Sequence, residues 1–321
     1  MTLPFIHYTL HEFGTSGEGK THLVYGIDEN FIRGASVCIA SAALNSNNGI
    51  CAHIIYGQKN VSPAVSDVLN ALVVRFERLN IRLYAIEDFA AKLIVTESLT
   101  SAMYYRYCIG ELLYGITERV IYLDADIVAD CNLDELYRRD MKGYLLAAVE
   151  DYMPDGDIPN AERMRAFFEG EYFNSGMLMI DVAGWKSQNI FEKAIEKTVS
   201  VGVQLKHYDQ DVLNIIFANS WLSLEKKWNY ISYREEPCSG VVAHFIGNIK
   251  PWMRWSDKRG AKLYDHYESM TFFNSVPKEL PKKNNAKEVK YYKRYLYNQG
   301  CFLKALYWEC VYIFIKAKNN F

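Results

Sequence analysis

Short apolar runs alternate with longer helix-periodic segments along the first 200 residues of the chain. Each run has the length of one β-strand and ends at a polar loop, as residues 22–27 do at Asp28. The segments between the runs carry apolar residues at helical spacing, as residues 62–79 do after Pro63 in the first turn. Strands that alternate with helices predict an α/β domain with a mostly parallel central sheet and helices on both faces.

The pattern also predicts where the elements lie. The predicted strands cover residues 22–27, 52–56, 81–86, 119–123, 144–149 and 177–181. The predicted helices cover residues 36–44, 62–79, 100–114, 161–168, 190–199 and 211–218, with Asp209 placed to cap the last of them. No linker interrupts the chain before residue 278. The pattern therefore predicts one elaborated domain over residues 1–277 and an appendage over residues 278–321.

The near-zero net charge conceals an uneven distribution. The chain has 321 residues and is 50% apolar and 23% charged, a composition that excludes a disordered or fibrous protein. Its formal charge is -2. Residues 278–321 contain ten Lys and Arg against three Glu, whereas residues 1–277 contain 26 basic and 35 acidic residues. A body with a net charge of -9 repels phosphate backbones, which argues against nucleic acid as a partner.

Cysteine usage and the N-terminal residues predict a cytoplasmic protein. The seven cysteines are odd in number and no pair has CxxC spacing, which is typical of a reducing compartment. The first residues lack the cationic and apolar regions of a signal peptide. No uncharged apolar run is long enough to span a bilayer.

Residues 14–21 match the phosphate-binding pattern G-x4-G-K-T of nucleotide hydrolases. That loop functions where it opens a helix, because the N-terminal amides of the helix bind the phosphates. Here a β-like run follows Lys20 and Thr21 instead. The context favours a flexible glycine-rich loop, and a P-loop nucleotide hydrolase built on residues 14–21 is the alternative function.

Asp124 and Asp126 follow directly on the apolar run 119–123. Open α/β sheets bind their ligands at the carboxyl ends of the strands. Two carboxylates one residue apart in a turn can both contact a divalent metal, which prefers oxygen ligands and is commonly shared with substrate phosphates. The pair predicts a metal site, whereas an acidic loop that is only solvated is the alternative.

Three further clusters carry groups suited to this chemistry. An imidazole can complete a metal site, and an ammonium group can bind phosphate oxygens. Each cluster also has a purely structural explanation, as a turn amide, a helix cap or a buried histidine with satisfied hydrogen bonds. The candidate side chains and close-approach glycine are Asn174, Asp209, Gln210, His244, Gly247 and Lys250.

Taken in order, the clusters resemble the motifs of glycosyltransferase family 8. The chain contains YLDAD, YFNSG, DQDVLN and HFIGNIKPW, and it is similar to the bacterial lipopolysaccharide core hexosyltransferases over residues 23–255. The resemblance implies a GT-A type nucleotide-sugar-binding fold and retaining transfer of glucose or galactose from a UDP-sugar to the lipopolysaccharide outer core, in an α-1,2 or α-1,3 linkage. A non-catalytic sugar-nucleotide or lipid-binding module with this fold is a further alternative.

The resemblance also implies which residues bind the metal and the donor. Asp124, Asp126 and His244 would hold Mn²⁺ or Mg²⁺ on the diphosphate, and Lys250 would stabilise the charge that develops on the leaving phosphate. Gly247 would allow the backbone to approach the phosphates. The implied donor-binding positions are Gly26, Asp28, Asn30, Arg106, Asp124, Ala125, Asp126, Gly247 and Lys250.

By the same resemblance, Asn174, Asp209 and Gln210 would surround the transferred hexose. Retention by double displacement needs a nucleophile beneath the anomeric carbon, and the amide oxygen of Gln210 is a poor one. We therefore expect a front-face substitution through an oxocarbenium-like ion pair, in which Gln210 stabilises the positive carbon. The acceptor would contact Glu150 or Asp151.

The appendage combines positive charge with aromatic residues. Residues 278–294 interleave Lys and Arg with tyrosines, and the fifteen residues 301–315 are apolar apart from Lys304 and Glu309. Fifteen residues cannot span a bilayer of about 30 Å. We expect this tail to be helical and to lie on an anionic membrane, the cytoplasmic face of the inner membrane that carries the acceptor. A helix packed on the body with solvated lysines is the alternative.

Overall fold

The computed structural model describes residues 6–15, 20–91, 93, 100–152, 159–201, 204–231, 237–256 and 261–318. The strands β1 to β11 are Tyr8–Phe13, Thr21–Ile27, Ile50–Tyr56, Leu79–Ile86, Arg119–Leu123, Ile127–Ala129, Leu146–Glu150, Phe173–Asp181, Leu222–Ser223, Tyr230–Ile231 and Val242–His244. The helices α1 to α11 are Ile32–Asn45, Pro63–Arg75, Ile109–Leu113, Leu133–Tyr137, Asn160–Arg163, Val182–Ser187, Ile190–Val201, Tyr208–Ile216, Ala261–Glu268, Ala286–Asn298 and Phe302–Lys318. Short 3₁₀ helices cover Glu29–Phe31, Ser101–Cys108, Lys226–Asn229 and Phe272–Ser275.

The predicted mostly parallel sheet is confirmed. Eight strands pair in the order β1-β4-β3-β2-β5-β8-β7-β9. Neighbours from β4 to β5 are parallel, as are β7 and β9, whereas β1 and β8 run antiparallel to the strands beside them. A second, smaller sheet has the order β10-β11-β6.

Both faces of the large sheet are covered by hydrophobic cores. Successive residues of a strand point to opposite faces, so Leu23 and Tyr25 pack in one core and Val24 in the other. All seven residues of β3 are buried, which is typical of a central parallel strand covered on both sides. This explains why the strands read as continuous apolar runs rather than as alternating patterns.

Several boundaries differ from the predicted ones. Residues 100–114 form the 3₁₀ helix Ser101–Cys108 followed by α3, not one continuous helix, because apolar spacing does not distinguish the two helix types. Strand β8 begins at Phe173, which places Asn174 inside the strand. Strand β1, which pairs with β4 at the edge of the sheet, was not predicted, because its mostly exposed residues do not form a continuous apolar run.

The predicted helix cap at Asp209 is wrong. Helix α8 begins at Tyr208 with His207 at the N-cap position, which puts Asp209 within the first turn. The backbone amides of Lys206 and His207 donate instead to the carboxylate of Asp211, at 3.0 and 2.9 Å. The carboxylate of Asp211, and not that of Asp209, therefore accepts hydrogen bonds from the backbone amides just before the helix.

The structure contradicts the P-loop alternative. Residues 16–19 lie outside the described residues, but Lys20 and Thr21 lead into strand β2 and not into a helix. The ammonium group of Lys20 donates to Asn80 Oδ1 and the Thr15 carbonyl, both at 3.1 Å. Among the described residues here, no helix directly follows the lysine, so no helix N-terminus offers its amides to a phosphate.

The C-terminal helices α10 and α11 pack against each other on one side only. Their shared apolar cluster contains Trp255, Val289, Tyr292, Leu296, Ala305, Trp308 and Ile315. Among the described residues, no helix combines the length and the apolar character needed to cross a membrane. The division of the chain at residue 278 stays a prediction. Lys278, the first residue of the predicted appendage, donates from Nζ to the Pro251 carbonyl of the body at 3.1 Å.

One buried carboxylate, that of Asp134 in α4, ties together the amino ends of the central strands. It accepts hydrogen bonds from the hydroxyl groups of Thr21 at 2.6 Å and Ser46 at 2.9 Å. It also accepts from the backbone amides of Asn47 at 2.8 Å and Asn48 at 3.0 Å. Burial opposes ionisation, but these four donors hold the pKa of Asp134 below its ordinary value of 3.8.

Asp134→Ala leaves these buried donors without an acceptor, and we expect it to lower the free energy of unfolding by about 3 kcal/mol at neutral pH. Urea unfolding measures this, with the exposed Asp67→Ala as the control. Because the pKa of Asp134 is depressed, its contribution is present above pH 3.8 and is lost as the pH falls further. Equal stability of Asp134→Ala and the wild type at neutral pH would contradict this role.

Candidate active site

The pairing of the two sheets brings three metal-type ligands together. Asp124 follows β5 and Asp126 precedes β6. In the smaller sheet β6 pairs with β11, and His244 at the end of β11 is the register partner of Ile127. The backbone amide of Phe245 donates to the carbonyl of Asp126 at 2.9 Å. This pairing places the imidazole beside both aspartates, 118 residues along the chain from the nearer one.

The three side chains have the geometry of a cation site. Nε2 of His244 lies 3.3 Å from Asp126 Oδ1 and 3.9 Å from Asp124 Oδ2. The ligand atoms of all three residues lie within 4.8 Å of one another. Two carboxylate oxygens and one imidazole nitrogen suit Mn²⁺ or Mg²⁺. The residues present therefore fit the metal that the sequence analysis predicted.

Lys250 contacts the same cluster. Its ammonium group donates to Asp126 Oδ2 and, at 3.3 Å, to the carbonyl of Phe245. Burial alone would raise the pKa of Asp126, but the ammonium group of Lys250 holds it below its usual value. The carboxylate is therefore ionised and ready to bind a cation.

Gly176 in β8 allows His244 to reach this position. A Cβ atom built on Gly176 would lie 2.2 Å from His244 Cε1 and 3.0 Å from Asp124 Oδ2. Gly34 plays a similar part on the other side, where a Cβ would lie 2.4 Å from the carbonyl oxygen of Ala125. Both glycines are thus required by close packing around the Asp-Ala-Asp turn.

Arg106 is buried at the centre of the site, with 3% of its surface exposed. Its guanidinium group pairs with Asp124 Oδ1 at 2.8 Å and with Asp209 Oδ2 at 3.2 Å. It also lies over the ring of Tyr122, 4.3 Å from the centroid, and donates to the carbonyl of Ser175 at 2.5 Å. Burial would lower the pKa of Arg106, but the two aspartates raise it above its usual value. The residue is therefore no surface cation.

Asp209 and Gln210 lie in the first turn of α8. Burial raises the pKa of Asp209 to about 6, although Arg106 acts in the opposite direction. The amide oxygen of Gln210 accepts from the backbone amide of Ser175 at 3.0 Å, and its amide nitrogen donates to the hydroxyl group of Tyr172 at 3.0 Å. Tyr172 in turn donates to Asp211 Oδ1 at 2.5 Å. These contacts hold the Gln210 amide in one orientation.

Asn174 and Asp151 are joined by a hydrogen bond. Asn174 Nδ2 donates to Asp151 Oδ1 at 3.0 Å, and Asn160 Nδ2 donates to Asp151 Oδ2 at 2.6 Å. Asn229, which the sequence analysis did not select, links Asn174 to His244. Glu150 is exposed at the end of β7. The structure thus connects Asp151, rather than Glu150, to the candidate site.

The remaining predicted donor positions lie around the end of β2 and in the loop after β11. A Cβ on Gly26 would lie 3.0 Å from the carbonyl of Ala102, so this position is tightly packed. Asp28 Oδ1 accepts from the backbone amide of Asn30 at 2.9 Å and begins the turn before α1. Gly247 has φ +91°, a conformation that favours glycine.

A second group of metal-type ligands contains His22, Cys51 and His53 at the amino end of β2 and in β3. His22 Nδ1 and His53 Nε2 are 2.8 Å apart, shorter than the separation of about 3.3 Å expected for two nitrogens on a tetrahedral zinc. Burial and the nearby cations Arg82 and Lys20 lower the pKa of His22 to about 4. The pair is a hydrogen-bonded one in positively charged surroundings, which disfavour a further cation.

Sequence reasoning missed Ser175, Tyr122 and Asn229. Ser175 contacts Arg106, Asp209 and Gln210 through three different atoms. Ser175 lies within the YFNSG sequence, so its neighbours could have indicated it. Asn229 lies in a short 3₁₀ helix outside every motif, and no sequence signal distinguishes it.

Comparison with known proteins identifies the family. The family model described as "Glycosyl transferase family 8" matches residues 22–256. A lipopolysaccharide 1,2-glucosyltransferase of Escherichia coli is 30% identical over 313 residues, covering 91% of this chain and 90% of that protein. A lipopolysaccharide 1,3-galactosyltransferase of Salmonella typhimurium (strain LT2) is 29% identical over 324 residues, covering 92% and 91% of the two chains.

The crystal structure of the galactosyltransferase LgtC, solved with donor and acceptor sugar analogs, has the same fold. It superposes with a TM-score of 0.66 and 22% identity, covering 80% of this chain and 98% of that one. Fold and family together define a glycosyltransferase of the GT-A type. The chain belongs to glycosyltransferase family 8.

Gly176→Ala tests the packing around the metal ligands. We expect the added methyl group to displace the His244 ring and to weaken Mn²⁺ binding about 10- to 100-fold, since a shifted ligand loses its bond to the metal. Electron paramagnetic resonance of unbound Mn²⁺ measures the affinity. Gly115→Ala, before β5, is the control for backbone strain without a clash, because Gly115 has φ +79° and a Cβ there has no atom within 4 Å. Unchanged Mn²⁺ affinity in Gly176→Ala would rule out this close contact as a requirement.

Proposed function

We propose that the protein is a metal-dependent retaining hexosyltransferase that transfers glucose or galactose from a UDP-sugar to the lipopolysaccharide outer core. The observation that carries the proposal is the cluster of Asp124, Asp126, His244 and Lys250 at the carboxyl ends of the central strands. The activities for which two similar proteins are named, lipopolysaccharide 1,2-glucosyltransferase and lipopolysaccharide 1,3-galactosyltransferase, support this substrate class.

The proposed roles of the metal ligands and of Lys250 follow from the charges. Asp124, Asp126 and His244 would hold Mn²⁺ or Mg²⁺, which supplies positive charge at the diphosphate of the donor as the bond to the sugar breaks. Lys250 carries a second positive charge, and its contact with Asp126 supports a role for it beside the same phosphates. Its ammonium group would shift from the carboxylate to the more highly charged diphosphate when the donor binds.

The remaining residues act on the hexose and the acceptor. Asn174, Asp209 and Gln210 would contact the hexose, and Asp151, or Glu150 beside it, would contact the acceptor. The Gln210 amide is held by Ser175 and Tyr172, and an amide in this fixed position suits stabilisation of a cationic anomeric carbon better than covalent attack on it. In the proposed front-face substitution, the departing phosphate oxygen accepts the proton of the acceptor hydroxyl.

Turnover of a panel of UDP-sugars with added Mn²⁺ tests the function. We expect release of UDP from UDP-glucose or UDP-galactose, and a loss of rate on the order of 10²- to 10³-fold in Asp126→Asn, because the metal then loses a charged ligand. Lys20→Ala is the control and should retain the wild-type rate, since Lys20 lies at the opposite end of β2.

Two outcomes of this experiment would contradict the proposal. Folded Asp126→Asn with undiminished turnover would show that the cluster does not act in catalysis, and absence of turnover in the wild type with every donor and a lipopolysaccharide acceptor would favour the non-catalytic module. Mass spectrometry during turnover should find no glycosyl adduct. A covalent adduct on Gln210 or Asp209 would exclude the front-face mechanism.

We also infer that the C-terminal helices place the enzyme on the cytoplasmic face of the inner membrane, next to its acceptor. One side of α11 packs on α10, while the other side exposes large apolar residues. Leu303 is 87% exposed and Phe314 is 71% exposed. The exposed apolar side chains are Phe302, Leu303, Leu306, Tyr307, Ile313 and Phe314. An apolar helix face within a tail of net charge +7, residues 278–321, suits the interface of an anionic bilayer.

Replacing both Leu303 and Phe314 by Glu tests the membrane surface. We expect partitioning onto vesicles that contain phosphatidylglycerol to fall at least about tenfold, because two apolar side chains are lost from the interface. Cosedimentation measures the bound fraction. Val74→Glu is the matched control, since Val74 is 82% exposed on α2, outside the tail. Equal binding of the double variant and the wild type would exclude α11 as the membrane surface.

A further inference from the structure

A chain of hydrogen-bonded amide groups leads to Nδ1 of the proposed metal ligand His244, whereas Nε2 of the same ring faces Asp124 and Asp126. Starting at Asp151, it passes through Asn174 and Asn229 to the imidazole ring. Each amide offers a donor at one end and an acceptor at the other, so that fixing the orientation of one group fixes the next.

The orientation of the Asn174 amide is set by two neighbouring groups whose roles as acceptor and donor are fixed. The carboxylate of Asp151 can only accept, and it receives a hydrogen bond from Asn174 Nδ2 at 3.0 Å. The backbone amide of Gly176 can only donate, and it donates to Asn174 Oδ1 at 3.0 Å. The Asn174 oxygen therefore faces Gly176 and Asn229.

Asn229 must then present its amino group to Asn174. Its Nδ2 donates to Asn174 Oδ1 at 2.8 Å, which leaves Oδ1 of Asn229 facing Nδ1 of His244 at 3.0 Å. An amide oxygen can only accept, so that Nδ1 of His244 carries a proton. Asn229 is completely buried, and water cannot take over this contact.

We propose that Asn229 is a positioning residue that fixes the tautomer of His244 for metal binding. With the proton at Nδ1, the neutral imidazole directs the lone pair of Nε2 toward Asp124 and Asp126. Without Asn229, Asp126 Oδ1 at 3.3 Å would draw the proton to Nε2, the atom that binds the metal. This inference rests on the proposed function for the identity of the metal site, but not for the tautomer.

Two substitutions separate positioning from packing. Asn229→Leu and Asn229→Asp both keep the branching at Cγ and both lose the hydrogen bond to Asn174, but only aspartate keeps an acceptor for Nδ1 of His244. We expect Mn²⁺ affinity to fall about 10- to 100-fold in Asn229→Leu and to be largely retained in Asn229→Asp, since carboxylates commonly accept from metal-bound histidines. Electron paramagnetic resonance of unbound Mn²⁺ gives both affinities. Equal losses in the two variants would reduce Asn229 to a structural role and overturn the proposal.

Nitrogen NMR of the histidine-labelled wild type tests the tautomer without any variant. The spectrum is recorded at a pH at which only one nitrogen of the His244 ring carries a proton, and His244→Gln identifies the signal. We expect a protonated Nδ1 and an unprotonated Nε2 in the metal-free protein, and a proton at Nε2 would overturn the inference. Mn²⁺ binding by Asp126→Asn keeps the proposed function and the tautomer hypothesis distinct. If this variant binds Mn²⁺ like the wild type, the proposed function fails, but the NMR result still decides the tautomer.

Discussion

The buried guanidinium group of Arg106 holds the site together. A buried cation is costly unless it is paired, and Arg106 meets this requirement by contacting Asp124 after β5 and Asp209 in α8. It also donates to the carbonyl of Ser175 in β8. One side chain thus links three elements of the fold and separates two carboxylates that would otherwise repel each other. The position of the Asp124 carboxylate depends on this pairing.

The rest of the site is arranged around that cation by backbone pairing. The small sheet adds His244 because β11 pairs with β6, directly after the Asp-Ala-Asp turn. The segment after residue 276 pairs with the residues that follow Lys250, where the backbone of Glu279 exchanges hydrogen bonds with Trp252 and Arg254. The loop that carries Lys250 is therefore attached to the segment that leads into α10 and α11.

The regularities of the sheet and the paired aspartates could be predicted from the sequence because they are local properties. A buried parallel strand is an uninterrupted apolar run, and Asp124 and Asp126 follow one such run directly. The errors arose where local patterns have several solutions. Asp209 stands at a plausible capping position, but Asp211 satisfies the amides at the start of α8. Strand β1 has no continuous apolar run, and its pairing with β4 at the edge of the sheet is a tertiary contact.

The sequence by itself determined the alternation of the longer strands and helices, the uneven charge and the set of groups able to bind a metal. These follow from side-chain type and short-range spacing. Only the tertiary structure decided which distant groups meet and in which hydrogen-bond orientation. Asn229 carries no local signal, and its partners Asn174 and His244 lie 55 and 15 residues away in the chain. Their contact exists because the two sheets pack together and exclude water, so that each buried amide must find its partner within the protein.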